Sequence, residues 1–102
     1  MSGADTMWLE AHCLGAPAEL HRRVERYFAL TSDRQALPDR LGEAGLLALQ
    51  STLATPGDRP AAFDLLAADA LVTLSLQAGA EQDPAGLAAL AGRLLNAGAG
   101  LA

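Results

Sequence analysis

The feature that most constrains this chain is residues 63–80, a stretch that is apolar around its whole circumference if it is helical. At 100° per residue its large side chains point in nearly every direction; they are Phe63, Leu65, Leu66, Leu71, Val72, Leu74 and Leu76. A helix of this kind cannot face water on any broad side, so it has to be covered by other elements of its own chain or by a partner.

Breakers and caps divide the rest of the chain into helices. Proline suits the first turn of a helix, and Pro17, Pro38, Pro60 and Pro84 each precede an apolar repeat of helical spacing. The pattern predicts helices over about 5–14, 17–30, 38–54, 60–80 and 84–95. We therefore expect an all-α, up-and-down bundle of four main helices with a short N-terminal helix. The bundle would be a single domain over residues 1–102, with frayed ends at 1–4 and 98–102.

Two local points remain open in the sequence. Residues 6–14 alternate well enough to form a short strand, although helix is favoured because the chain offers no second strand for pairing. Gly42 and Gly45 lower the helix propensity of residues 38–54, which would be explained if these glycines mark a close contact between helices.

The net charge and the composition of the chain exclude several classes of protein. A net charge of −5 and a pI near 4.7 leave no basic surface for nucleic acid. The longest uncharged run, residues 44–57, is shorter than the ~20 residues of a membrane span. The first residues do not resemble a signal peptide, so we expect a cytoplasmic protein. All seven basic residues are Arg and Ile is absent, a coding bias typical of GC-rich bacteria.

Metal or phosphoryl chemistry has weak support in the sequence. His12, Cys13 and His21 are the metal-competent side chains, but adjacent His12 and Cys13 point in different directions and no established ligand spacing is present. The run Ala11-His12-Cys13-Leu14-Gly15 faintly resembles the His-x-x-x-Gly region of histidine phosphotransfer domains. That resemblance implies a phosphoacceptor His12 on a helical bundle, yet the basic residue usual in that family is missing. We predict no metal and no cofactor.

A polar stripe interrupts the apolar helix. Asp69, Thr73 and Gln77 lie at i, i+4 and i+8, so they share one side. The stripe could line a pocket or specify a partner, but Asp is almost never buried unpaired. We favour the interpretation that the stripe is the solvent-facing edge of the helix.

The function that these observations favour is binding to another protein. The chain has no credible catalytic constellation and more apolar helix surface than three narrow amphipathic helices easily cover. We predict a non-enzymatic interaction module, an adaptor, regulator or assembly factor that forms a homodimer. Trp8, Tyr27 and Phe28 are the predicted partner contacts, because exposed aromatic side chains contribute strongly to binding. The alternative is a small-molecule binder whose apolar pocket uses Asp69 or Thr73 as its polar group.

Overall fold

The computed structural model describes residues 3–101 and shows an all-α helical bundle over that range. Its five α-helices are α1 (Gly3–His12), α2 (Ala18–Ala29), α3 (Leu37–Ala54), α4 (Arg59–Gln82) and α5 (Leu87–Ala99), with a 3₁₀ turn at Pro84–Gly86 before α5. The predicted fold class is confirmed. Residues 6–12 are helical, which decides the choice between helix and strand at the N-terminus.

The antiparallel pair α3–α4 forms the centre of the bundle, and small residues bring the two helices close together. A Cβ atom at Gly45 would lie 2.9 Å from Val72 Cγ2 and 3.2 Å from the Val72 backbone nitrogen. Ser75 is fully buried on the same interface and donates to the backbone oxygen of Pro38 at 2.6 Å. The expectation that Gly42 and Gly45 mark close contacts is confirmed.

Helices α2 and α5 pack on different flanks of the α3–α4 pair. Val24, Tyr27 and Phe28 of α2 belong to the buried core that α3 and α4 share. On the other flank, Leu94 of α5 lies where a side chain at Gly42 would be, and Leu90 lies where one at Gly79 would be. Both α2 and α5 are therefore positioned by the central pair.

Helix α1 is connected to the bundle by polar contacts as well as by Leu9. The Arg40 guanidinium is buried at the start of α3 and lies 3.8 Å from the centre of the Phe28 ring. Its Nε donates to Thr31 Oγ1 at 2.7 Å, and its Nη1 lies 3.4 Å from the Asp5 carboxylate. Arg40 thus joins α1, α2 and the loop before α3 at one point.

The helix ends differ from the expected ones by up to four residues. Helix α1 begins at Gly3, so residues 3–4 are helical where loose chain was expected, while residues 1–2 lie outside the described range. Asp83 caps the 3₁₀ turn, and α5 starts only at Leu87. Helix α5 continues through Gly98 to Ala99, because Gly98 keeps a negative φ instead of the left-handed conformation that would end a helix. Residue 102, at the end expected to fray, also lies outside the described range.

Helix α4 is the one described helix long and apolar enough to cross a membrane by length and composition. Its most apolar 18-residue window has a mean hydropathy of 1.4, and 39% of that window is buried within the bundle. The core helix of a soluble protein meets the same two criteria. The absence of a membrane span therefore stays a prediction.

The close α3–α4 contact leads to a stability prediction. We expect Gly45→Ala to destabilise the fold by about 1–3 kcal/mol, because the new methyl group would overlap the Val72 backbone as well as its side chain. The matched control is Gly92→Ala in α5, where a Cβ would meet nothing within 4 Å. That change should stabilise by up to about 1 kcal/mol through helix propensity alone. Urea unfolding measures both, and equal effects would contradict a close contact at Gly45.

Candidate functional site

The predicted aromatic contacts occupy different environments. Tyr27 and Phe28 are only 7% and 4% exposed, so both are core residues and neither is available to a partner. Trp8 is half-buried, stacks on the His12 ring with centroids 3.7 Å apart, and donates from Nε1 to Glu81 at 3.2 Å. The amphipathic spacing of α2 located an apolar side correctly, but that side packs within the chain.

The buried carboxylate of α4 is Asp64, which the sequence argument passed over in favour of Asp69. One Asp64 oxygen accepts from Arg23 at 2.7 Å and from Tyr27 Oη at 2.9 Å, and the other accepts from Ser51 at 3.1 Å. Burial alone would raise the pKa of Asp64. The three hydrogen bonds and the charge of Arg23 outweigh it and lower that pKa below its ordinary value. Asp64 shares a face with Ala67, Ala68 and Leu71, a spacing that could have identified it.

The basic patch at residues 21–26 is largely paired within the chain. Arg23 turns inward, contacts Glu19 and Asp64, and donates to the backbone oxygen of Pro60 at 3.0 Å. Its hydrogen bond to Asp64 is the main reason that the pKa of Arg23 is raised. Arg22 pairs with Glu19 at 3.2 Å. These contacts favour a structural role for the patch over the capture of a phosphate or an acidic partner.

The metal-competent residues do not converge. His12 Nδ1 is 2.8 Å from the backbone oxygen of Trp8, a contact that assigns the proton to that nitrogen, and His21 Nε2 lies 3.6 Å from Glu25. Burial raises the pKa of the Cys13 thiol, and the Glu25 carboxylate raises it further. A protonated thiol is a poor metal ligand and nucleophile. Among residues 3–101, no group of three or more His, Cys, Asp or Glu side chains is arranged to hold a metal ion.

A cleft between α1, α2 and α4 brings two separate sequence candidates together. It encloses about 270 Å³ and contains Asp69 and Thr73, the predicted polar groups of a pocket, together with His12 and Cys13. The apolar part of its lining is Ala16, Leu20, Val24, Ala70 and Leu74. Asp69, Thr73 and Gln77 are all exposed, so the stripe is a solvent-facing edge as favoured, and one side of it borders the cleft.

The second candidate is an apolar surface on the flank of α3 and α4 that α5 covers only in part. Helix α5 approaches this flank at Gly79, Gly42 and, near its end, Leu46, where a Cβ at Gly98 would be 3.8 Å from Leu46 Cδ2. Beyond that point Leu53 of α3 and Leu65 of α4 are about half-exposed. We call this surface the leucine face and define it as Leu46, Leu49, Leu53, Leu65 and Val72.

Helix spacing and the α3–α4 register place these five residues together. Leu46, Leu49 and Leu53 follow one another at i, i+3 and i+7 on α3, on the same side as Gly42. Val72 packs against Gly45, and the Ser51–Asp64 hydrogen bond sets the neighbouring segments side by side. Leu53 and Leu65 are 52% and 50% exposed, and residues 44–57 carry no charge. The five residues of the leucine face are therefore apolar, and Leu53 and Leu65 are its accessible members, whereas the other three are partly buried.

Comparisons with protein-family models, curated proteins and solved structures found no match to this chain. The fold and the two candidate sites therefore provide the functional argument.

The Asp64 cluster leads to a prediction about stability and pH. We expect Asp64→Asn to destabilise the fold by about 3 kcal/mol, because it removes the charge that compensates the half-buried Arg23. Asp69→Asn, on an exposed position of the same helix, should change stability by less than about 0.5 kcal/mol.

The pH dependence of this difference follows from the lowered pKa of Asp64. A carboxyl whose folded pKa is lowered contributes its full stability above the unfolded value of about 3.8, and loses it as pH falls through the folded pKa. The gap between wild type and Asp64→Asn in urea unfolding should therefore be constant from pH 7 to pH 5 and shrink below about pH 4. A gap that does not depend on pH would contradict an ionised Asp64 in the folded chain.

Proposed function

We propose that this chain is a non-enzymatic protein-interaction module that forms a homodimer through the leucine face. The observation that carries the proposal is the pair Leu53 and Leu65, which are half-exposed on the two central helices beside the uncharged segment 44–57. A contiguous exposed apolar surface costs free energy in water and is typical of a protein–protein contact.

The chemistry of the face favours a second copy of this chain as its occupant. The protein has a net charge of −5, so two copies repel one another over most contacts. The leucine face is an exception, because residues 44–57 of each copy bring no charge to it. Two such faces related by a twofold axis would match apolar surface with apolar surface, as an isologous interface requires.

Two observations support binding rather than catalysis. The Cys13 thiol has a raised pKa and is a weak nucleophile, and the buried Asp64 carboxylate is engaged by three protein donors. We propose that such a module works in the cytoplasm as an adaptor, regulator or assembly factor, the roles expected from the sequence.

Light scattering coupled to gel filtration tests the homodimer. Wild type at micromolar concentration should give about twice the 10.5 kDa chain mass. Leu53→Glu and Leu65→Glu should each give the mass of one chain, because two like charges would meet in an apolar interface and cost several kcal/mol. Helical circular dichroism and urea unfolding verify that each variant is folded.

Leu14→Glu is the matched control, because Leu14 is 82% exposed and lies in the turn after α1, outside the leucine face. This variant should keep the mass of two chains. A wild type that remains a monomer would contradict the proposal. A dimer that Leu14→Glu disrupts as strongly as Leu53→Glu would place the interface elsewhere and contradict it as well.

A further inference from the structure

The cleft between α1, α2 and α4 combines an apolar interior with a carboxylate at its edge. Leu20 and Val24 of α2 face Ala70 and Leu74 of α4 across it, while Asp69 lies on the exposed edge of α4. Among residues 3–101, no Arg or His side chain lies within ion-pair distance of the Asp69 carboxylate. The cleft therefore offers one negative group that the protein itself does not neutralise.

The other carboxylates near the cleft have partners within the chain. Glu25 is close enough to Cys13, which lines the cleft, to affect its titration, but it lies 3.6 Å from His21; Glu81 accepts from Trp8 beside His12. Arg22 and Arg23 of α2 are paired with Glu19. His12 is the one basic side chain of the lining, and its ring stacks on Trp8. Asp69 is therefore the carboxylate of the lining without a partner among residues 3–101, and it attracts a cation and repels an anion.

We propose that the cleft binds a small hydrophobic monocation, an amine whose apolar chain lies among Leu20, Val24 and Leu74 and whose ammonium group pairs with Asp69. Thr73, one turn after Asp69, adds a hydroxyl that can accept from the same ammonium group. A volume of about 270 Å³ is slightly below the range of ligand pockets, which are ~300–1,000 Å³, so the ligand is a small molecule with a short chain.

The inference does not depend on the homodimer. The cleft is lined by α1, α2 and the α2-facing side of α4, whereas the leucine face is on the flank that α5 partly covers. A monomeric chain could bind the amine, and a dimeric chain could fail to bind it.

The chain contains its own reporter for this site. Trp8 is the only tryptophan, and it stacks on His12, which lines the cleft. Occupation of the cleft should therefore change the Trp8 fluorescence. The methyl NMR signals of Leu20, Val24 and Leu74 report the location of the bound chain directly.

The test uses three probes of equal chain length: hexylammonium, hexanoate and 1-hexanol. Hexylammonium should give a saturable change of Trp8 fluorescence and shift the methyl signals of Leu20, Val24 and Leu74. Hexanol should bind about two- to fivefold more weakly, because it lacks the charge that pairs with the exposed Asp69, and hexanoate should bind more weakly still. Equal binding of the three probes would overturn the proposal, as would shifts centred on Leu53 and Leu65.

Asp69→Asn tests the role of the carboxylate. It preserves the size of the side chain at an exposed position, and we expect it to weaken hexylammonium binding about two- to fivefold. The matched control is Asp33→Asn, an exposed carboxylate in the loop between α2 and α3, which should leave the affinity unchanged. The same loss of affinity in both variants, or in neither, would overturn the assignment of Asp69.

Discussion

The close approach of α3 and α4 is the constraint on which the rest of this structure depends. It requires that Gly45 has no side chain, since a Cβ there would meet Val72 of α4, including its backbone nitrogen, whereas Gly42 and Gly79 mainly leave room for leucine side chains of α5. The same closeness lets Ser75 reach the Pro38 carbonyl and lets Ser51 reach Asp64. The flanks on which α2 and α5 pack exist only because this pair is formed.

This packing also explains why several leucine side chains of α3 and α4 are exposed to solvent. An interface lined largely by Gly, Ala and Ser holds few large side chains, such as Leu41 and Leu71, and the alanines at positions 44, 48, 67, 68 and 78 are all buried in it or beside it. Leu53, Leu65 and Leu66 are therefore displaced to the exposed sides of α3 and α4. The close contact that stabilises the hairpin thus creates the apolar surface for which we propose a second copy of the chain.

The sequence predicted the parts of the fold that depend on local signals. Prolines and caps lie next to the helix ends that they determine, so most ends were located within about three residues. Contacts between residues far apart in the sequence could not be predicted from such local signals. Asp64 and Arg23 are 41 residues apart, and their contact depends on which side of α4 meets α2.

In the candidate sites, too, local spacing predicted some residues, while the contacts between helices could not be predicted. Helix spacing identified Tyr27 and Phe28 as one apolar side, but spacing does not tell whether that side packs on the same chain or on another. The leucine face could not be predicted from the sequence, because it depends on where α5 ends on the α3–α4 pair, and tertiary packing determines that position. Asp69 and Thr73 were predicted because their i, i+4 spacing lies within one helix. The α2 side chains opposite them were not predicted, because their position depends on how the helices pack.

The most direct measurement of the central claim is an isotope-filtered NOE experiment on a mixture of ¹³C-labelled and unlabelled protein. The account predicts NOEs between chains at the methyl groups of Leu53 and Leu65, and none at Leu14 or Leu30, which are exposed outside the leucine face. NOEs between chains that are confined to Leu14, Leu30 or Met7, or none at all at millimolar concentration, would contradict it.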